Sequence, residues 1–295
     1  MKLLLLGGNG QVGRELRRSL APLGELVVAT RDGIDADVAV DFEASASLAK
    51  FIRDVDADVV VNAVAYTAVD QAEADADAAF RINAEAPAAI AAACVDTGAL
   101  LVHYSTDYVF DGSASRPYRE DDATSPLGVY GASKLAGEQA IRASGARHAI
   151  LRTAWVYASH GKNFLLTMLR LASERDELRV VADQVGTPTS AAWIADATAG
   201  LIRHGVADAG TWHLVASSET SWHGFACAIM EDAQARGLLA RMPSVLPITT
   251  DEFPTPARRP ANSVLDTTRL RSDFGIVPPD WRDGLRATLD EIAKP

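Results

Sequence analysis

Short apolar runs alternate with longer stretches of helical periodicity through the first half of the chain. Lys2–Leu6 (KLLLL) predicts a buried strand and Val12–Leu23 a helix. Glu25–Ala29 follows as a strand, Ala46–Val55 as a helix and Asp58–Val64 (DVVVNAV) as a third strand. Asp70–Thr97 is alanine-rich and predicts one helix, Ala99–Ser105 a strand, Tyr130–Ala143 a helix and His148–Trp155 a strand. The strands are rich in Val and Leu and lack polar alternation, so both faces must be covered. A helix between each pair lets successive strands run parallel. The expected fold is therefore α/β, a doubly wound parallel sheet of Rossmann type.

After about residue 155 this rhythm stops, and prolines at 243, 247, 254, 256, 260, 278 and 279 mark loops and short elements. The expected division is a sheet domain over 1–155 and, over 156–295, a smaller cap. Segments near 190–205 and 222–248 are expected to return to the sheet. Ala84–Ala93 reads as strong helix former rather than low complexity.

Composition narrows the field without naming a chemistry. The chain has 295 residues, 48% hydrophobic and 23% charged, enough for a sizeable core. A net charge of -11 disfavours a nucleic-acid groove or an anionic membrane surface. An anionic small molecule would need helix ends and a few placed arginines. Cys94 and Cys227 lie far apart among small and aliphatic residues, and both are expected to be buried free thiols. The apolar start, Met1–Leu6, is too short for a signal core or a membrane span, which points to the cytoplasm.

Gly7-Gly8-Asn9-Gly10-Gln11-Val12-Gly13 follows the first strand directly and opens the first helix. Glycines there bring backbone against a pyrophosphate, and the helix N-terminus offers unpaired N–H groups to it. The sheet domain is thus expected to bind a dinucleotide through Gly7, Gly10 and Gly13. At the end of the second strand an acid would hold a ribose 2′-hydroxyl, an arginine a 2′-phosphate. Thr30 and Arg31 favour NADPH over NADH; Asp32 would favour NADH were the strand one residue longer.

Tyr130 and Lys134 stand four apart on one predicted helix face. A free tyrosine titrates near ~10, and an adjacent ammonium would favour its phenolate and make it a usable acid. The strand Ala99–Ser105 ends in Ser105-Thr106, placing a hydroxyl where such sheets bind ligands. A Tyr–Lys pair alone is usually a solvated helix face; with the glycine loop and the strand-end hydroxyl, a carbonyl reductase site is the better reading. Arg259, in a proline-rich loop, can pair with a diphosphate or merely sit at the surface.

Taken together these segments resemble the extended short-chain dehydrogenase/reductase family and, within it, the dTDP-4-dehydrorhamnose reductases. The match runs through Gly10–Gly13, Val61–Ala63, Thr67–Asp70, His103–Phe110, Ser125–Leu127, Tyr130–Lys134 and Arg152–Tyr157. It continues with Asp183-Gln184-x-Gly186-x-Pro188-Thr189, Pro254–Ala257 and Arg259-Pro260-x-Asn262-Ser263. The resemblance implies reduction of the C4 keto group of dTDP-4-dehydro-L-rhamnose by NADPH or NADH. It makes Tyr130 the proton donor, Thr106 the partner of the sugar carbonyl and Lys134 the holder of the nicotinamide ribose. Gln11, Val12, Asp41, Phe42, Ala63, Val64 and Ala65 would line the cofactor. Asp107, Trp155 and Asn262 would join Thr106 and Arg259 at the substrate, although Trp155 and Phe42 are also ordinary core residues.

Members of this family can form a dimer bridged by magnesium on glutamates. Glu15 is present, but Ala192 stands at the second position, so no metal is expected and the chain reads as a monomer or weak homodimer. Glu15 then becomes a first-turn acid suited to the helix dipole. Histidines 148, 160, 204, 213 and 223 read as structural. Other nucleotide-sugar ketoreductases or epimerases and a non-catalytic dinucleotide-binding subunit are the rivals. Tyr108 after Thr106-Asp107 removes the second acid a dehydratase would use, and retention of Tyr130 and Lys134 counts against a subunit without turnover.

Overall fold

A computed structural model describes residues 1–294, so Pro295, the end of the expected cap segment, lies outside the described residues. The seven-stranded central sheet contains β1 (Lys2–Leu6), β2 (Glu25–Thr30), β3 (Val38–Ala39), β4 (Val59–Asn62), β5 (Leu100–Thr106) and β6 (His148–Thr153), with the strand Gly210–His213 at one edge. All neighbouring strands pair parallel, in the order Gly210–His213, β6, β5, β4, β1, β2, β3. The order reverses direction at β1, so the crevice at the carboxyl ends of β1 and β4 is a natural ligand site. Leu3 to Leu6 are fully buried because alternate side chains enter the two helical layers on either side. One layer holds α1 (Gln11–Leu20) packed on the helix Ala191–His204. The other holds α2 (Ser45–Val55), the helix Ala86–Thr97 and the helix Val129–Ser144.

Several boundaries differ from expectation for identifiable reasons. β2 runs one residue past Ala29, so Arg31 is the first residue beyond the strand. The single helix expected over Asp70–Thr97 is broken into Val69–Ala72 and Ala76–Phe80, a π-helical turn Arg81–Glu85, and Ala86–Thr97. Pro87 cannot donate to the Asn83 carbonyl, which relaxes the turn before it. The helical run Ala76–Thr97 is long and apolar enough to cross a membrane by length and composition. Its last three turns pack against α2 and the helix Val129–Ser144.

Of the segments expected to return to the sheet, Ala191–His204 packs on α1. The 222–248 segment does not return. Its helix Trp222–Ala235 shares a separate core with the helices Phe164–Glu174 and Trp281–Ile292, and its strand Ser244–Ile248 pairs with Glu177–Val181. The segment that does add to the sheet is Gly210–His213, too short for its pattern to announce. Cys94 is buried, but Cys227 is only partly so.

Candidate active site

The first βα turn forms the floor of a cavity of about 350 Å³. Gly10 caps α1 in extended conformation and its N–H returns to the Gly7 carbonyl. A Cβ on Gly13 would stand 2.1 Å from the Gly7 oxygen, so any other residue would force the turn open. Gly7, Gly10, Arg31, Asp41, Phe42, Ala63, Val64 and Ala65 all line this cavity. Val12 and Gly13 shape α1 behind it. Thr30 and Asp32 are occupied with each other: the Thr30 hydroxyl donates to Asp32 Oδ1, which also accepts the Ile34 N–H. Those bonds hold the Asp32 carboxyl below its ordinary range, the Ile34 N–H contributing most. Arg31, not Asp32, therefore lies on the cavity wall. Gln11 turns toward the cap, where its Oε1 accepts a hydrogen bond from Asn163 Nδ2 at 2.8 Å.

Tyr130 sits half-buried in the first turn of the helix Val129–Ser144, with Lys134 fully buried one turn on. The expected effect of the ammonium on the phenol does not appear. Lys134 Nζ donates to the Tyr104 carbonyl at 2.7 Å and lies 3.4 Å from His103 Nε2. Burial instead pushes the Tyr130 phenol upward, against the opposing pull of the Thr106 hydroxyl, with Asp107 and Tyr108 adding to the rise. Burial lowers the Lys134 ammonium to about 8, with the Glu138 carboxylate acting the other way. Thr106 Oγ donates to Asp107 Oδ1 at 2.9 Å and accepts the Tyr108 N–H. Asp107 is raised to about 6 by burial, offset in part by Ser263 and Thr106. Ser263 lies beside it, yet among the described residues no donor meets Asp107 Oδ2 in hydrogen-bond geometry.

Two further residues, Asn83 and Tyr108, complete this arrangement. Asn83, fully buried in the π-helical turn, bonds both backbone groups of Tyr66 and donates to Ser133 Oγ at 3.0 Å. Ser133 in turn donates to the Tyr130 carbonyl, which ties the start of the helix Val129–Ser144 to the wall of the smaller cavity. Tyr108 meets Tyr130 edge-on at 5.4 Å between ring centres, and its hydroxyl accepts from Arg259 Nη1. Arg259 is also paired with Asp70 at 2.8 Å, so its guanidinium is shared between this pair and the cavity it lines. Pro87, four residues on, is the sequence feature that could have pointed to Asn83; Tyr108 lies in the matched segment His103–Phe110, but nothing local pointed to its contact with Tyr130.

That second cavity, about 590 Å³, has walls of Phe164, Met168, Leu171, Trp222 and Phe253, with Arg175, Gln184 and Arg259 as polar groups. Trp155 lies behind it, stacked on Trp222 with ring centres 3.5 Å apart. Its φ of +48° is uncommon for a bulky residue and marks a constrained turn. Asn262 is not brought to this cavity. Its Nδ2 donates to the Ala114 and Arg116 carbonyls and its Oδ1 accepts the Val264 N–H, which clamps two loops together. Glu15 lies in the second turn of α1 rather than the first, facing Arg18 and, at 3.9 Å, His160.

Comparison with known proteins settles the lineage. A family model described as the RmlD substrate binding domain matches residues 1–294. The chain belongs to this family. A dTDP-4-dehydrorhamnose reductase of Escherichia coli K12 is 46% identical over 295 residues, covering 99% of this chain and 98% of the relative. One from Burkholderia thailandensis is 50% identical over 291 residues, with 96% of each chain covered. The crystal structure of a dTDP-4-dehydrorhamnose reductase from Clostridium acetobutylicum superposes with a TM-score of 0.92 at 38% identity over the whole of both chains. Another, from Bacillus anthracis in complex with NADP, gives 0.89 at 34% identity, covering 98% of this chain and 99% of that one.

Proposed function

We propose that this member of the RmlD family reduces the C4 keto group of dTDP-4-dehydro-L-rhamnose to give dTDP-L-rhamnose, with NADPH preferred to NADH. The observation that carries the reading is the convergence at the end of β5. There the Thr106 hydroxyl acts on the Tyr130 phenol, and Tyr108 links Tyr130 to Arg259 on the wall of the larger cavity. The glycine turn fits a dinucleotide, because the Gly13 contact leaves its backbone bare beneath the cavity. Gly7, Gly10 and the α1 N-terminus would hold the pyrophosphate, Arg31 the 2′-phosphate, and Val64 and Ala65 the nicotinamide side. When bound, the reduced nicotinamide supplies a hydride to C4.

The residues of the chain do the rest. Tyr130 stays protonated at neutral pH because burial raises its phenol, so it is ready to give its proton to the oxygen at C4. Thr106 Oγ would donate to that oxygen on releasing Asp107, and Asp107 Oδ2, without a donor among the described residues, would accept a sugar hydroxyl. The apolar walls and Arg175 suit a base and a diphosphate respectively. We further assign the protein to the cytoplasm, as a monomer or weak homodimer without a metal bridge, nucleic acid or membrane partner. The test is oxidation of NADPH and NADH by the purified protein with dTDP-4-dehydro-L-rhamnose. Turnover should fall roughly 10²–10⁴-fold in Tyr130→Phe; equal rates in the two proteins would remove Tyr130 from the mechanism.

A further inference from the structure

His103 and Asn62 face each other across β5 and β4 in register, and both are buried. Neither enters the reaction above. Their hydrogen bonds nevertheless fix a proton next to Lys134. Asn62 Oδ1 accepts the Val64 N–H at 3.1 Å, so the amide nitrogen must be the atom turned to His103 Nδ1, 3.0 Å away. Reversing the amide would set an N–H against the Val64 N–H. His103 Nδ1 is therefore an acceptor, and in a neutral ring the proton sits on Nε2, which points at Lys134 Nζ. The ring is neutral because burial and the Lys134 charge both oppose its protonation. A donor thus faces a lysine that already donates to the Tyr104 carbonyl.

We propose that His103 is a positioning residue which, locked by Asn62 as the Nε2–H tautomer, turns a donor toward Lys134 and so favours its amine over its ammonium form. The inference rests on the functional reading only for its consequence. A lysine that exchanges its proton near neutral pH can return one to Tyr130 after each turnover. Besides His103 and the Tyr104 carbonyl, the group that acts on Lys134 is Glu138 from its own helix, which favours the ammonium. Glu138 is itself engaged by a buried fork from Arg152 on β6 and by Arg142.

The experiment is an NMR titration of the full chain labelled with carbon-13 at the lysine ε-carbon. The other lysines, Lys2, Lys50, Lys162 and Lys294, act as internal references for folding. Lys134 should titrate near the value of about 8 given above, clear of the other four. In His103→Gln the side-chain oxygen can face Nζ, and its midpoint should rise by about one pH unit. In Asn62→Leu, which frees the tautomer to reverse, it should rise too. A Lys134 signal that titrates with the other four in the native chain, or that stays put in both variants while the reference signals remain native, overturns the proposal. Because no substrate is present, failure of the sugar assignment leaves this readout unaffected. In turnover assays the high-pH limb should move with the NMR midpoint; a purely structural histidine would lower kcat without moving it.

Discussion

At the scale of single residues, the site is governed by burial more than by the pairwise charges that the Tyr–Lys spacing suggests. Spacing alone puts Lys134 on the Tyr130 face, but its Nζ donates to the Tyr104 carbonyl, and low dielectric surroundings set both groups. Asp107 shows the same balance, and its sign can be followed. Its folded-state value of about 6 lies above the ordinary 3.8, so the folded protein binds the proton more tightly than the unfolded chain. That stabilisation is complete below about pH 4 and is lost as pH rises through about 6, at most roughly 3 kcal/mol. Asp107→Asn should therefore flatten the fall in Tm between pH 4 and 7 while lowering turnover, as a melting series would record. At the cofactor wall, Arg31→Ala should raise the KM for NADPH by about ten-fold or more, the worth of a charge-assisted bond, and leave that for NADH nearly unchanged. Equal changes for both cofactors would place the 2′-phosphate elsewhere.

At the scale of elements, the strands of the first half were readable because Val- and Leu-rich runs between helices have few alternatives in a covered parallel sheet. The long alanine-rich helix was less so, since propensity favours continuity and says nothing of a missing hydrogen bond. Pro87 leaves the Asn83 carbonyl without an intrahelical donor. That oxygen lies 2.1 Å from where a Cβ on Gly137 would stand, so the π-helical turn and the helix Val129–Ser144 meet backbone to backbone. The pairing of Pro87 with Gly137 is legible only once both helices are in place. Gly137→Ala should therefore cost about 1–3 kcal/mol by overpacking, and it should lower kcat by shifting Asn83, Ser133 and Tyr130 together. Denaturant melts and steady-state rates test both parts, and a variant with native stability and rate would show that the helices can separate freely. The cap was harder to read because its elements, such as Glu177–Val181 and Ser244–Ile248, pair over a long sequence separation, which no local pattern encodes.

At the scale of the molecule, the sheet and the cap have to be held in one relation for a hydride donor and a sugar to meet. The central sheet carries an apolar core on each face; the helices Phe164–Glu174, Trp222–Ala235 and Trp281–Ile292 share a separate one. Asn163 stands at a junction between them. Its Oδ1 caps the helix Phe164–Glu174 by accepting the Leu166 N–H, while its Nδ2 donates to Gln11 Oε1 and to the Ala158 and His160 carbonyls. The helix it caps supplies Phe164 and Met168 to the larger cavity, and Gln11 opens the helix that meets the dinucleotide. Asn163→Asp retains the cap but turns an oxygen toward three acceptors, so the junction should open while the helix survives. Stability should fall by about 1–3 kcal/mol from the lost and opposed bonds. The affinity for NADPH, followed by its fluorescence, should fall with it, because Gln11 loses the partner that orders the start of α1. Asn163→Ala removes the cap as well and should be less stable still. If Asn163→Asp binds NADPH as the native chain does while its Tm drops, the contact serves packing alone and the two halves are aligned by their other contacts.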